Sequence, residues 1–542
     1  MRIRSGLLWL SLLAAARLPI AAQPNLLTYH NDAARTGQNL LETTLTPSNV
    51  NATAFGKLFQ VTLDGSVDAQ PLYVAGVPIP NQGTHNVLIA ATENDSLYAL
   101  DADTGAQLWQ VALLPTGETP SDNRGCGQVT PEIGITSTPV IALETGTGLG
   151  VIFAVAMSKD SSGNYYQRLY KVSLAAGKPL AAVVIGGKYP GTGDNSSGGY
   201  VYFESSQYKE RSGLLLLGGV VYLAWASHCD AQPYTGWIMG YNATTLAQTS
   251  VIDVTPNGAE GAIWGAGGGL AADSSGYIYF LDANGTFDTT LNAQGFPVNG
   301  DYGNAFIKLS AAGGQLTVAD YFTMYNTTSE SDADEDLGSG AALVLPKMID
   351  ATGQVQQLAI GAGKDGNIYL VNRANMGKFN PQNDSAIYQE LDGALPGGIW
   401  SMPAYYHGQV YFGEVGGPIQ AFQFSKAMLL PAPVSATGTT FPYPGATPSI
   451  SANGAANGIL WAVENNSPAV LHGFLATNLA QELYNTSQAP NGRDQFGAGN
   501  KFMVPAIVNG KVYVGTPNGV AAFGLLNPPA SIARRKARTD RH

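Results

Sequence analysis

One unit recurs eight times along the 542 residues, and no other property limits the possible folds as tightly. Each copy carries a short aliphatic-aromatic segment, a Gly/Asn/Asp turn and a second such segment. The first of these segments lies at residues 87–91, 151–155, 220–224, 277–280, 358–361, 410–413, 459–462 and 512–515, and its follower begins within about a dozen residues in most copies. In five copies the preceding segment opens on a proline (Pro71, Pro139, Pro403, Pro448, Pro505), a position where a strand tolerates the missing N–H. Several follower segments run into an Asp-x-x-Thr-Gly turn, clearest at Asp101, Thr104 and Gly105 ahead of Trp109. Copies are spaced by roughly forty to seventy residues, which suits four-stranded antiparallel units with variable loops. Helical periodicity is nearly absent, which argues against a helical solenoid.

These units predict an all-β, eight-bladed β-propeller of four-stranded antiparallel blades. The last copy, ending near residue 526, lacks its outermost strand, and a lone strand pattern at 55–63 precedes the first copy. Pairing the two closes the ring and removes an exposed sheet edge. The expected blades span 67–113, 134–186, 200–253, 262–320, 337–391, 397–430, 441–485, and 499–526 together with 55–63. The domain plan is a signal peptide at 1–22, an N-terminal extension at 23–54, the propeller at 55–526 and a basic tail at 527–542 that reads as disordered.

Composition narrows the function. Charged residues are only 12%, about half the usual share, whereas 45% hydrophobic content supports a large core. The net charge of −12 and the concentration of basic residues in the tail leave an acidic body, unsuited to nucleic-acid backbones. Arg2 and Arg4, the apolar run at 6–16 and the small residues Ala21 and Ala22 form a secretory signal, so the chain is expected outside the cytoplasm, periplasmic or extracellular. The later apolar run at 214–225 is too short to span a bilayer, and no transmembrane segment is expected. The two cysteines, Cys126 and Cys229, are expected to form one disulfide in that compartment. No Cys-x-x-Cys-His is present for covalent haem, and no His/Cys set has zinc spacing.

The repeat, the Asp-x-x-Thr-Gly turns and a leading segment with Asn31, Asp32, Arg35 and Phe55 resemble the quinoprotein (PQQ-dependent) alcohol dehydrogenases, over about residues 28–526. The resemblance implies pyrroloquinoline quinone (PQQ) lying flat over a Trp in a central channel, beside Ca²⁺ held by a carboxylate, an Asn and the catalytic Asp. Trp264 matches the stacking floor, Asn284 the amide ligand and Asp230 the carboxylate ligand. Asp301, in Gly300-Asp301, matches the catalytic base and third ligand. Lys364, in a Lys-x-Gly-x-x-Tyr stretch ending at Tyr369, matches the cation that contacts the quinone oxygens. Asp68 stands where the family carries an acid near the cofactor. Two departures count against a cofactor. Cys126 is followed by Gly127 rather than by a second cysteine, and Glu132 stands near the place of an expected Arg, where it would repel the PQQ carboxylates. The acidic run from Glu330 to Asp336 reads as a solvated loop.

Two functions follow. The first is a binding propeller that takes a ligand or a protein partner on its loop face, since the same repeat serves as an assembly scaffold elsewhere. The alternative is a PQQ- and Ca²⁺-dependent dehydrogenase for an alcohol or sugar, with Asp301 as base and a separate electron acceptor, since no haem motif is present.

Overall fold

The computed structural model describes residues 24–144 and 146–526; the segments read as signal peptide and basic tail lie outside the described residues. The regular secondary structure of the described residues is nearly all strand, with one short α-helix at Thr327–Asp332. Eight sheets of four or five strands follow in chain order, over 72–112, 118–184, 215–253, 271–322, 343–391, 404–440, 449–485 and 506–525. The eighth takes its fourth strand from the other end of the chain. Phe55–Thr62 pairs antiparallel with Gly519–Leu525, from Phe55 opposite Leu525 to Thr62 opposite Gly519. The sixth sheet reaches farther than the 397–430 expected from sequence. Its outer strand is Ser435–Thr440, and Met428–Leu429 only forms a small hairpin with the end of the preceding strand. The run 435–440 is Ser/Ala/Thr/Gly and carries no apolar alternation, so the repeat pattern does not extend to it. No helix of the described residues is long and apolar enough to cross a membrane.

Strand faces pack sheet on sheet. The larger buried clusters each join consecutive sheets, as Ile238 with Ile278, Tyr279 with Tyr369, Leu370 with Val410, and Trp461 with Val512. Another cluster joins Tyr513 and Val520 of the eighth sheet to Leu88 and Leu100 of the first. Each buried Val, Leu, Ile or Phe contributes about 1.5–3 kcal/mol, so the core is spread through the sheet interfaces rather than gathered in one place. The repeat turn has a local cause. Asp101 Oδ1 accepts from the Asp103 and Thr104 N–H groups, and Gly105 takes φ +79°. The strand leaving the turn then sends Trp109 Nε1 to Leu174 O of the next sheet, 3.0 Å away, where Gly177 leaves room for the indole.

The segment ahead of the repeats runs past each sheet in turn. Leu26 exchanges hydrogen bonds with Tyr73, and Leu27 O accepts from Ile141. Arg35 donates to Leu214 O and Leu270 O. Ala33, Ala34, Thr36 and Gly37 carbonyls accept from Ala272, Val344, Tyr405 and Ile450, and Asn39 Nδ2 donates to Ile507 O. Arg35 is fully buried without a carboxylate partner and also donates to Tyr29 O and Thr28 Oγ1. Burial lowers its guanidinium to about 10, so it stays charged at neutral pH. His30 is equally buried, with its ring nitrogens against Arg35 O and Pro448 O.

Candidate functional site

A cavity of about 270 Å³ lies beyond this segment, walled by Trp264, Trp400 and Phe502 and bearing the charges of Lys209, Arg211, Lys364, Asp230, Asp334 and Asp336. Trp264 enters it from a turn in which Gly265, Ala266 and Gly267 all take positive φ. Gly267 is required there for a second reason: a Cβ would stand 2.7 Å from the Arg211 guanidinium carbon. The Phe502 ring meets Trp264 edge-on at 6.5 Å and has the Arg211 guanidinium over it at 5.4 Å.

Lys364 is fixed by two carboxylates. Its ammonium lies 2.6 Å from Asp334 Oδ1 and 2.6 Å from Asp336 Oδ2, with the Trp400 ring 5.9 Å away. Burial pushes the ammonium down, but Asp336 and Asp334 more than offset it and raise it above the usual lysine range. Asn284 locks both acids from the other side: its backbone N–H donates to Asp336 Oδ1 at 2.7 Å and its side-chain amide to Asp334 Oδ1 at 3.1 Å. The Asn284 Oδ1 is buried and bonded to nothing. Asp230 follows Cys229 on a stretch where both take positive φ, and Ser227 and Tyr234 hydroxyls hold its Oδ1. The disulfide Cys126–Cys229 anchors that stretch.

Of the residues singled out from sequence, Trp264, Lys364 and Asp230 line the cavity, and Asn284 is joined to it through Asp334 and Asp336. Asp301 does not join them. Its carboxylate accepts from the Asn257 N–H at 2.8 Å, beside a separate groove lined by Asn299, Gly300 and Tyr302. A Gly-Asp turn is a common local motif, and nothing in its spacing separates a site residue from this one. The carboxylates that stand in its expected place are Asp334 and Asp336, from the acidic run that reads as a solvated loop. Asp336 is in fact buried, because Asn284 and Lys364 supply the partners that such a run lacks on its own. Asp68 lies outside the lining and is tied to Asn500 at 2.5 Å; its nearness to Glu93 helps hold that buried carboxyl protonated, after burial itself. Glu132 is also outside the lining, in a bridge with Asp122. Lys209 and Arg211, which sequence reasoning missed, supply the basic groups. Their spacing, two residues apart, was the only available signal.

The buried acids give the protein a pH signature. Burial raises Asp336, Asp301 and Asp365 to about 6 and Asp253 to about 7. Each binds a proton in the folded chain at pH values where the unfolded chain has released it, so folding stability falls as pH rises through that window. The carboxyls held low, such as Glu118 and Asp494, titrate below it. Urea unfolding is therefore expected to show greater stability at pH 5 than at pH 8.

No family model matches the sequence, and no curated protein matches it. Solved structures do. The quinohemoprotein alcohol dehydrogenase of Comamonas testosteroni aligns over 93% of this chain and 80% of its own, at 13% identity and a TM-score of 0.61. A quinohemoprotein alcohol dehydrogenase from Pseudomonas putida HK5 covers the same shares at 14% identity and 0.59. A europium-containing methanol dehydrogenase covers 93% of this chain and 98% of its own, at 11% identity and 0.61. With its nearly all-β course of four-stranded antiparallel sheets, this chain has the fold of the quinoprotein alcohol dehydrogenases.

Proposed function

We propose that this chain is an exported eight-bladed propeller, closed by the pairing of 55–62 with 519–525, that binds a PQQ-type quinone in the Trp264 cavity and oxidises an alcohol or sugar. The leading segment's hydrogen bonds at or beside a strand of each of the eight sheets support the ring. The disulfide supports an oxidising compartment.

The observation that carries the reading is the convergence on one cavity of an indole floor, unpaired cationic groups and hard oxygen donors. Arg211 keeps its Nε and Nη2 unbonded although it is 4% exposed, which suits a ligand carboxylate. Glu132 is not in the lining to repel an anion, and Lys209 and Arg211 are there without a carboxylate partner. Asn284 Oδ1 and the Asp334–Asp336 pair beside it are the oxygens that would hold a cation such as Ca²⁺. Among the described residues no three His, Cys, Asp or Glu side chains are grouped to do so alone, so the amide oxygen is needed. A bound quinone would supply the hydride-accepting carbonyl. Trp264 would orient it, and Lys364 would stabilise negative charge on its oxygens. Asp334, with a 69% exposed side chain, is the carboxylate placed to take the alcohol proton, whereas Asp336 at 3% is enclosed. A separate carrier would take the electrons, as the sequence has no Cys-x-x-Cys-His for covalent haem.

Reconstitution with PQQ and Ca²⁺, read by a quinone absorbance band and by dye reduction with an alcohol panel, tests this. Saturable binding is expected. Asp334→Asn should lower turnover by about 100-fold or more while leaving binding within a few-fold, and Asp301→Asn should leave turnover nearly unchanged. Absence of binding at tens of micromolar overturns the reading.

A further inference from the structure

Lys209 has an unusual position for a lysine. It is 5% exposed, lines the cavity, and its ammonium meets only Cys126 Sγ at 3.4 Å. Among the described residues Lys159, Lys364, Lys378 and Lys511 each pair with a carboxylate, and Lys209 does not. Arg211 follows it on the same face of the segment, since alternate residues of an extended chain point the same way, about 6.5–7 Å apart. The segment is held by an antiparallel bridge between Lys209 and Ala226, so the two side chains enter the cavity from a fixed backbone. Arg211 gives one nitrogen, Nη1, to Thr136 O, and the two left unbonded, Nε and Nη2, form one edge of the guanidinium, the fork that matches a carboxylate. Trp264, Trp400 and Phe502 wall the space in front of both.

We propose that Lys209 is a carbonyl-capturing amine and Arg211 its carboxylate clamp, so that the cavity takes oxo-acids, compounds with an aldehyde or ketone a few Å from a carboxylate. The Lys209 nitrogen adds to the carbonyl carbon. The carbonyl oxygen then leaves as water, carrying both protons of the neutral amine, and a C=N bond remains. No oxidant or reductant is consumed, and reversal by water returns the free amine. Burial, with Arg211 beside it, lowers the ammonium to about 8, which leaves a usable fraction of free amine near neutral pH. The inference does not depend on a quinone occupying the cavity.

Trapping with glyoxylate and cyanoborohydride, followed by peptide mass mapping of the full chain, tests it. One adduct at Lys209 is expected, ahead of the exposed lysines. Arg211→Gln should slow glyoxylate labelling at least 10-fold and slow labelling by acetaldehyde, which has no carboxylate, far less, through the lost charge beside the ammonium alone. Lys209→Arg should remove the adduct with the thermal midpoint preserved. An unmodified Lys209 with label spread over surface lysines overturns the capture. Equal glyoxylate rates with and without Arg211 overturn the clamp. The quinone titration is a separate readout, so either reading fails on its own evidence.

Discussion

Replacing Arg35 by Met is expected to destabilise the protein by about 3 to 5 kcal/mol, one of the largest single-residue effects in the chain. Its guanidinium donates to Leu214 O, Leu270 O, Tyr29 O and Thr28 Oγ1. Methionine fills similar space and donates to none, so buried carbonyls from two sheets and from the leading segment lose their partner together. An unsatisfied buried group costs about 1–3 kcal/mol, and several arise at once. The effect should reach the cavity, because Tyr29 is buried near enough to Arg211 to feel its charge. Urea unfolding measures the loss. A change below 1 kcal/mol would mean that the leading segment is dispensable.

Removing the disulfide by the double change Cys126→Ala and Cys229→Ala should lower stability by about 4 kcal/mol. The two residues are 103 apart, and freeing a loop of that length restores much conformational entropy to the unfolded chain. The same change frees the stretch that carries Asp230 and removes the sulfur beside Lys209. Quinone affinity should therefore fall together with the urea midpoint. Loss of stability with unchanged affinity would detach the disulfide from the site.

The strands were legible because their physical requirement is local. A buried strand needs consecutive apolar residues, and the runs at 87–91 and 512–515 show it without any partner in view. The strand Ser435–Thr440 was not legible, since an outer strand half in water needs no such pattern. The site was legible where chemistry and spacing coincide: Trp264, Asn284, Lys364 and Asp230 fall at or beside the cavity. It was not legible where long-range contacts decide. Asp336 is buried only because Asn284, 52 residues away, and Lys364 satisfy it. Asp301, in its Gly-Asp turn, is held by Asn257 instead and stays outside the cavity. Arg35 gave no sign of burial, because its partners are backbone carbonyls, which sequence does not distinguish.

A crystal structure of the chain soaked with PQQ and Ca²⁺ tests the central claim most directly. The account predicts the ring system lying against the Trp264 indole, with a carboxylate on Arg211 Nε and Nη2 and a quinone oxygen within reach of Lys364. Quinone seated elsewhere on the molecule, with the Trp264 cavity holding only water, would contradict it.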